Sequence, residues 1–149
     1  MLITDELRAW VGRSLPIDPI EITRNDIVKY SLATQQRSET YLRGDEAPPL
    51  FLFGALRPLV AIDELGPDGL AGDPLVPKLP LERVMAGGSK IRFHRAVKPG
   101  DVLVGKRELG EIYEKKGASG PLLFIVYKIT LTTDGGELVL EETQTRIAR

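Results

Sequence analysis

The second half of the chain alternates apolar and polar residues in the manner of β-strands. In SKIRFHRAV, Ile91 and Phe93 fall on one face, and Arg92 and His94 fall on the other. Three longer β-forming segments follow, DVLVGKRELGEIYEKK, PLLFIVYKITLTT and ELVLEETQTRIA, joined by the turn signals GASG and DGG. Consecutive long strands joined by tight turns predict an antiparallel meander.

The longest apolar segment also predicts which side of the sheet is buried. Because side chains alternate along a strand, one face carries Phe124, Val126 and Lys128. The opposite face is more uniformly apolar, so we expect it to face the core; its residues are Leu123, Ile125, Tyr127 and Ile129. In the preceding strand, Gly105 or Gly110 is expected to mark a bulge or bend.

The first 19 residues predict a short helix and an extended connection. TDELRAWVGRSLP can begin a helix at a cap formed by Thr4 or Asp5, and Pro16 and Pro19 then favour extended backbone. A short strand is expected at IEIT.

A second helix is predicted from about 24 to 34. Thr23, followed by Asp26 three residues later, resembles a capping box, and Ile27 and Tyr30 have helical spacing.

The apolar run LFLFGALRPLVAIDELG predicts the cover of the sheet. We expect a buried helix between residues 51 and 65, lined by Leu56, Leu59, Val60 and Ile62. The following segment, 66–80, is rich in proline and glycine and predicts an ordered surface loop within one domain, 1–149. A long curled antiparallel sheet around one apolar helix is the hotdog architecture, so the predicted class is α+β with a single hotdog domain.

Composition excludes several classes of function. Twenty basic and 21 acidic residues give a net charge of −1, which argues against a nucleic-acid partner. No apolar run approaches the roughly 20 residues of a membrane-spanning helix, and the N-terminus does not resemble a signal peptide. The chain has no cysteine and one histidine, so neither a Cys-ligated nor a multi-His metal site is expected. We expect a cytoplasmic protein without a metal or cofactor.

Four stretches together carry a resemblance to a known family: NDIVKYSLAT, APPLF, IRFHRAVKPGD and EIYEKKGASGPLLFIVYKITLTTDGGELVLEETQTRIAR. They resemble the N-terminal-type domain of MaoC-like dehydratases, over about residues 20–149. These are hotdog proteins related to (R)-specific 2-enoyl-CoA hydratases. The resemblance implies addition of water to a 2-enoyl thioester, or its removal from a 3-hydroxyacyl thioester, carried by CoA or an acyl carrier protein.

The polar loop between Ala33 and Phe51 departs from the family motif Gly-Asp-x-Asn-Pro-x-His. Residues Gln35 and Gln36 stand at the Gly and at the catalytic Asp, and Ser38, Glu39 and Tyr41 stand at the Asn, the Pro and the catalytic His. Glutamine is neutral, and a tyrosine hydroxyl ordinarily has a pKa of about 10, so neither is a base near neutral pH. The chain is therefore expected to lack the acid–base dyad of the active members.

Other residues are weaker candidates for chemistry. His94 is the fallback base, against a structural or pocket-lining role, and Asp45 or its neighbour Glu46 is a fallback carboxylate, against a solvated loop. Asp101 is expected to fix the KPGD turn. Glu114–Lys116 is either surface or a contact for a CoA phosphate.

The resemblance also implies a substrate-binding set. Its members are Tyr41, Pro49, Phe51, Gly54 and His94. Gly54 either presents a backbone N–H to the thioester carbonyl or permits close packing.

Three hypotheses remain open. The first is a subunit of a hydratase or dehydratase that shapes the acyl pocket beside a catalytic hotdog partner. The second is a self-sufficient homodimer with a rebuilt site that uses some of Glu39, Tyr41, Asp45 and His94. The third is a non-enzymatic acyl-thioester-binding or structural module.

Overall fold

The computed structural model describes all 149 residues, and its main element is one five-stranded antiparallel sheet. The strand order is β1-β3-β4-β5-β2, with β1 at Ser14–Glu21, β2 at Val84–Phe93, β3 at Val102–Gly117, β4 at Gly120–Thr133 and β5 at Leu138–Ala148. Four short helices accompany it: α1 at Asp5–Arg8, α2 at Arg24–Ala33, α3 at Glu39–Leu42 and α4 at Phe51–Ala55. The predicted meander is confirmed as β3, β4 and β5. None of the helices has both the length and the apolar character needed to cross a membrane.

The N-terminal region differs from the prediction. Helix α1 is only four residues long, capped by the Thr4 hydroxyl, which accepts a hydrogen bond from the Leu7 N–H. Pro16 and Pro19 lie inside β1, which begins earlier than the expected strand at IEIT. A proline lacks the N–H that a central strand would need, but β1 is an edge strand.

Helix α2 confirms the predicted helix and its capping residues. The Thr23 hydroxyl accepts from the Asp26 N–H at 3.1 Å and donates to the Asp26 carboxylate at 2.6 Å. In a usual capping box, a Glu or Gln side chain at this position bonds the backbone N–H of the capping residue. The Asp26 side chain is one methylene shorter than Glu, and it bonds the Thr23 hydroxyl instead.

The two β3 glycines that the sequence predicts to mark a bulge or bend have different structural roles. The pairing of β3 with β4 shifts between Leu109 and Glu111, so Gly110 is the bulge. Gly105 stays in register, but a Cβ there would collide with the Thr130 carbonyl oxygen.

The predicted inner face of β4 is confirmed, and it carries two apolar clusters. Leu123, Ile125 and Tyr127 are at most 1% exposed and Ile129 is 5% exposed, whereas Lys128 is exposed. The helix-side cluster joins Ile129 to residues of α2 and α4; its buried members are Ile22, Ile27, Phe51, Leu52, Val97, Leu103, Ile129, Leu131, Val139 and Leu140. The strap-side cluster holds Leu7, Leu75, Leu109, Leu123, Ile125, Tyr127 and Ala148.

The predicted buried helix between residues 51 and 65 is wrong in its length. Helix α4 ends at Ala55, and Leu59 and Ile62 are 102% and 88% exposed. Gly54 weakens the helix, and Pro58 both lacks a donor N–H and disfavours helical backbone at the residue before it.

The remaining cover comes from part of the predicted ordered loop 66–80. We call Asp73–Leu81 the strap; its Leu75 and Pro77 are buried, and Val76, Leu79 and Leu81 pack against the strap-side cluster. This half of the inner face is therefore covered by the strap together with Leu7 of the short helix α1.

The turn between β2 and β3 is held by Asp101, as predicted. Its carboxylate accepts two hydrogen bonds from Arg95, at 2.9 and 2.7 Å, and one from the Lys98 N–H at 2.8 Å. Burial alone raises the pKa of the Asp101 carboxyl, but the Arg95 and Lys98 hydrogen bonds and the Arg95 charge outweigh it and hold this pKa below its ordinary value.

Truncation of the inner face tests the register of β4. Ile125→Ala is expected to lower the free energy of unfolding by about 2–5 kcal/mol, because it opens a cavity among fully buried side chains. Lys128→Ala, on the outer face of the same strand, serves as the control and should change it by less than about 0.5 kcal/mol. Equal effects of the two substitutions in urea unfolding would contradict this register.

The Asp101 network predicts a pH dependence. Asp101→Asn should cost roughly 1.5–3 kcal/mol at neutral pH, because it weakens charge-assisted hydrogen bonds. The folded pKa lies below the unfolded value of about 3.9, so the contribution is present above that pH and is lost as the pH falls through the folded pKa. The difference in free energy of unfolding between wild type and variant should therefore shrink in acid; Asp134→Asn, in the turn between β4 and β5, is the matched control.

Candidate functional site

The end of α2 places the loop that carries the degenerate motif. Gln35 has a φ of +56°, a left-handed conformation that favours glycine, at the position where the family motif has its Gly. The Gln36 N–H donates to the Ser31 carbonyl oxygen at 2.9 Å, which closes the helix end. The Gln36 side chain donates to the Thr34 hydroxyl at 3.2 Å. Gln36 thus helps to terminate the helix.

Asp45 is held on the surface by Arg24. The Arg24 guanidinium donates to the Asp45 carboxylate and to the Arg43 carbonyl oxygen, both at 2.6 Å. Gly44 lies so close to Arg24 and Val28 that a side chain there would clash with both. The fallback role of Asp45 therefore has no support from its position.

A cleft of about 260 Å³ lies between this loop and the end of β2. Its lining is Tyr41, Glu46, Ala47, Pro48, Pro49, Leu52, Phe93, His94, Arg95, Ala96 and Val97. The cleft brings together three of the predicted binding residues, Tyr41, Pro49 and His94. The alternative carboxylate Glu46 also reaches it.

The other predicted site residues lie outside this lining. Gln36 and Asp45 are held elsewhere, and Phe51 is buried in the helix-side cluster, edge-on to Tyr30 with ring centroids 5.6 Å apart. Gly54 is exposed, and a Cβ there would meet no atom within 4 Å, so the close-packing interpretation of Gly54 is wrong.

His94 has a carboxylate partner that the sequence alone did not reveal. Its Nε2 lies 2.8 Å from Glu141 Oε2 on β5, and its backbone N–H donates to the Val139 carbonyl oxygen at 2.9 Å. Strand pairing sets Arg92 opposite Glu141, and His94 follows on the same side of β2. The alternation along β2 could have indicated the side on which His94 lies. Its partner Glu141 could not be found in the same way, because the pairing register of β2 with β5 involves a strand about 50 residues away.

The arrangement mixes one acid–base pair with apolar walls. His94 with Glu141 can hold and release a proton, and Tyr41 supplies a hydroxyl. Leu52, Phe93 and Val97 line the cleft with apolar surface. The hydrogen bonds of Arg95 to Asp101 hold the wall between His94 and Val97.

A further candidate, Glu114–Lys116, lies apart from the cleft. In Glu114–Lys116, the Glu114 carboxylate accepts from the Leu2 N–H at 2.9 Å, and the Lys115 ammonium lies 5.3 Å from the ring centroid of Tyr113. None of the three lines the cleft. The structure contains no group of three or more His, Cys, Asp or Glu side chains suited to holding a metal ion.

The fold resembles solved dehydratase structures along almost its whole length. The chain is similar to a chain of the HadBC (3R-hydroxyacyl-ACP dehydratase) complex from Mycobacterium tuberculosis, with a TM-score of 0.66 and 17% identity over 97% of this chain and 98% of that one. It is also similar to the ChsH1-ChsH2 complex from the same organism, with a TM-score of 0.65 and 20% identity over 89% of this chain and 83% of that chain. These likenesses confirm the hotdog fold.

Sequence comparison gives the family. The mesaconyl-C(4)-CoA hydratase of Chloroflexus aurantiacus is 26% identical over 118 residues, which are 78% of this chain but only 42% of that protein. The sequence profile of the FAS1-like dehydratase domain region matches residues 9–142. The resemblance to MaoC-like dehydratases is thereby confirmed, and the chain belongs to the FAS1-like dehydratase domain family.

Proposed function

We propose that the chain is the dyad-less component of a hydratase or dehydratase acting on 2-enoyl or 3-hydroxyacyl thioesters. The observation that carries the proposal is the occupancy of the motif positions, where Gln36 and Tyr41 replace the catalytic Asp and His. In active members a carboxylate and an imidazole orient a water molecule and move its proton. A neutral amide that hydrogen-bonds Thr34 at the helix end does not substitute for that carboxylate.

In this proposal the cleft forms one wall of the acyl pocket. Leu52, Phe93 and Val97 provide apolar surface for the acyl chain, and Tyr41, which also lines the cleft, donates its hydroxyl to the thioester in this proposal. The reacting water and the dyad come from a second hotdog subunit. CoA or an acyl carrier protein serves as the carrier, and the reaction uses no cofactor.

The free edge of the sheet supports pairing with another hotdog. Strand β2 is an edge strand, and Val84, Met85 and Phe93 on it are 49%, 40% and 43% exposed. An unpaired edge with exposed apolar side chains is a liability that proteins remove by pairing. Two of the similar structures are complexes, HadBC and ChsH1-ChsH2.

A second candidate is a self-sufficient homodimer whose base is His94. The short distance between His94 and Glu141, in a cleft that also holds Tyr41, favours it. A carboxylate that holds an imidazole sets its orientation and tautomer, which is what a general base requires.

Hydration of crotonyl-CoA separates these candidates. The purified chain alone should show little or no loss of enoyl absorbance. Activity should appear when a hotdog protein with an intact Asp-x4-His pair, encoded beside this chain, is added. Mixtures in which this chain is omitted or replaced by a β2-edge variant, Met85→Lys, are the controls.

Substitution at the motif positions gives the matching gain-of-function test. Gln36→Asp with Tyr41→His should give weak activity to the chain alone, up to the roughly 10²–10⁴-fold that a general base contributes. The position of Gln36 limits this gain, since its side chain bonds Thr34 at the end of α2 and lies outside the cleft lining that includes Tyr41. If wild type alone turns over crotonyl-CoA at an ordinary enzymatic rate, and His94→Ala and Glu141→Gln both abolish it, the second candidate replaces the first. Binding of CoA esters without turnover under any condition would instead identify a non-enzymatic module.

A further inference from the structure

One edge of the sheet is suited to pairing with another strand, whereas the other edge is not. Strand β2 exposes nine of its ten residues, and only Ile91 is partly buried. The opposite edge strand, β1, contains Pro16 and Pro19, which lack the N–H groups that a paired strand donates, and its register with β3 shifts between Ile17 and Ile20. A strand that adds to this sheet therefore adds along β2.

The β2 edge lies in a segment that carries positive charge only. Between residues 83 and 100 the chain has five Lys or Arg residues and no Asp or Glu, although the whole chain has a net charge of −1. Arg95 is bound to Asp101. Lys90 and Arg92 are exposed and have no carboxylate within ion-pair distance. These two residues are the free cations of the edge.

The carboxylates on the neighbouring strand β5 are engaged elsewhere. Glu141 is paired with Arg92 across β2 and β5, but its carboxylate lies 2.8 Å from His94 Nε2. Glu142 lies on the opposite face, where it is 7% exposed and accepts a hydrogen bond from Gln144 at 3.0 Å. Neither carboxylate forms an ion pair with an edge cation, so both cations remain available to a partner.

A bulge limits the part of β2 that another strand can follow. The pairing of β2 with β5 shifts between Ala86 and Gly88, so the regular part of the edge is Gly88–Phe93. This part contains both Lys90 and Arg92, and alternation places the two side chains on the same outer face. A strand that pairs here therefore contacts both positive charges.

A second copy of this chain is poorly matched to the edge. A two-fold pair brings the same patch of both subunits together. An antiparallel pair centred on Lys90, Ile91 or Arg92 sets a cation of one copy directly opposite a cation of the other. A pair centred on Ser89 leaves the two Lys90 side chains as diagonal neighbours. Like charges that face each other across a sheet destabilise the pairing.

We propose that the β2 edge selects a hotdog subunit whose own edge strand carries acidic residues opposite Lys90 and Arg92, in preference to a second copy of this chain. The inference rests on the second subunit of the proposed function and names the chemistry of its interface. Carboxylates of the partner strand pair with the two cations, and exposed Met85 and Phe93 add apolar contact. Such charge complementarity decides which partner is chosen more than how tightly it binds.

A charge-swapped copy of the chain tests the selection without a natural partner. Lys90→Glu with Arg92→Glu places an acidic edge on the same fold. An equimolar mixture of wild type and this swapped copy, one of them fluorescently labelled, is followed by sedimentation velocity. At about 0.1 M ionic strength, the mixed dimer should have a dissociation constant about tenfold or more below that of either protein alone, because opposite charges replace like charges.

Three controls separate the edge from net charge. Lys128→Glu lies on the outer face of the central strand β4 and should not pair with wild type more tightly than wild type does with itself. Lys90→Gln with Arg92→Gln should self-associate more tightly than wild type, because the repulsion is removed. At about 1 M salt, where the screening length is about 3 Å, the preference for the swapped copy should largely disappear.

Two outcomes would overturn the selection. One is wild type that self-associates as tightly as it binds the swapped copy at about 0.1 M ionic strength, and the other is an equal gain from Lys128→Glu. Circular dichroism confirms folding, and if the double variant does not fold, Arg92→Glu alone should show the same preference to a smaller degree.

The proposed function is judged by a separate measurement. If a dyad-bearing partner restores hydration of crotonyl-CoA while the charge swap changes nothing, the proposed function stands and selection by charge is wrong. If the swapped copy pairs selectively but no partner restores hydration, the selection stands and the proposed function is wrong.

Discussion

Burial of one face of β4 is the interaction on which the rest of the structure depends. This strand lies at the centre of the sheet, and its inward residues from Leu123 to Leu131 belong to both apolar clusters. Each buried Leu or Ile contributes on the order of 1.5–3 kcal/mol relative to an exposed one, so a shift of register by one residue would lose most of the core. Helices α2 and α4 on one half and the strap on the other only complete a face that β4 already presents.

The cleft forms where the segment before α4 and the first turn of α4 meet the end of β2. Helix α4 stops at Ala55, and its residue Leu52 contributes both to the core and to the cleft wall. The loop that follows α2 closes the other side through Tyr41. The site therefore combines a wall at the end of β2, held by Arg95 and Asp101, with the segment that carries Tyr41.

The two segments that cover the inner face of the sheet, the helices α2 and α4 on one half and the strap on the other, differ in their polar contacts. The helix-side half is sealed by apolar contacts, whereas the strap combines apolar contacts with a carboxylate set between two arginines over Tyr127. Buried ion pairs add little to stability compared with apolar packing of the same volume. The strap is therefore held against β3 and β5 by the Asp73 ion pairs as well as by its apolar residues.

The sequence by itself determined the meander, the inner face of β4, the α2 cap and the Asp101 turn, because each depends on neighbours a few residues apart or on a contiguous motif. Only the tertiary structure decided where the helix that begins at Phe51 ends. The apolar pattern of the run favours a long buried helix, whereas Gly54 and Pro58 disfavour one, and the local pattern does not show which effect prevails. The pairing of His94 with Glu141, and of Asp73 with Arg107 and Arg146, also lay beyond the sequence. These contacts join residues 34 to 73 positions apart, and they exist only once strand order and register have brought the side chains onto the same face.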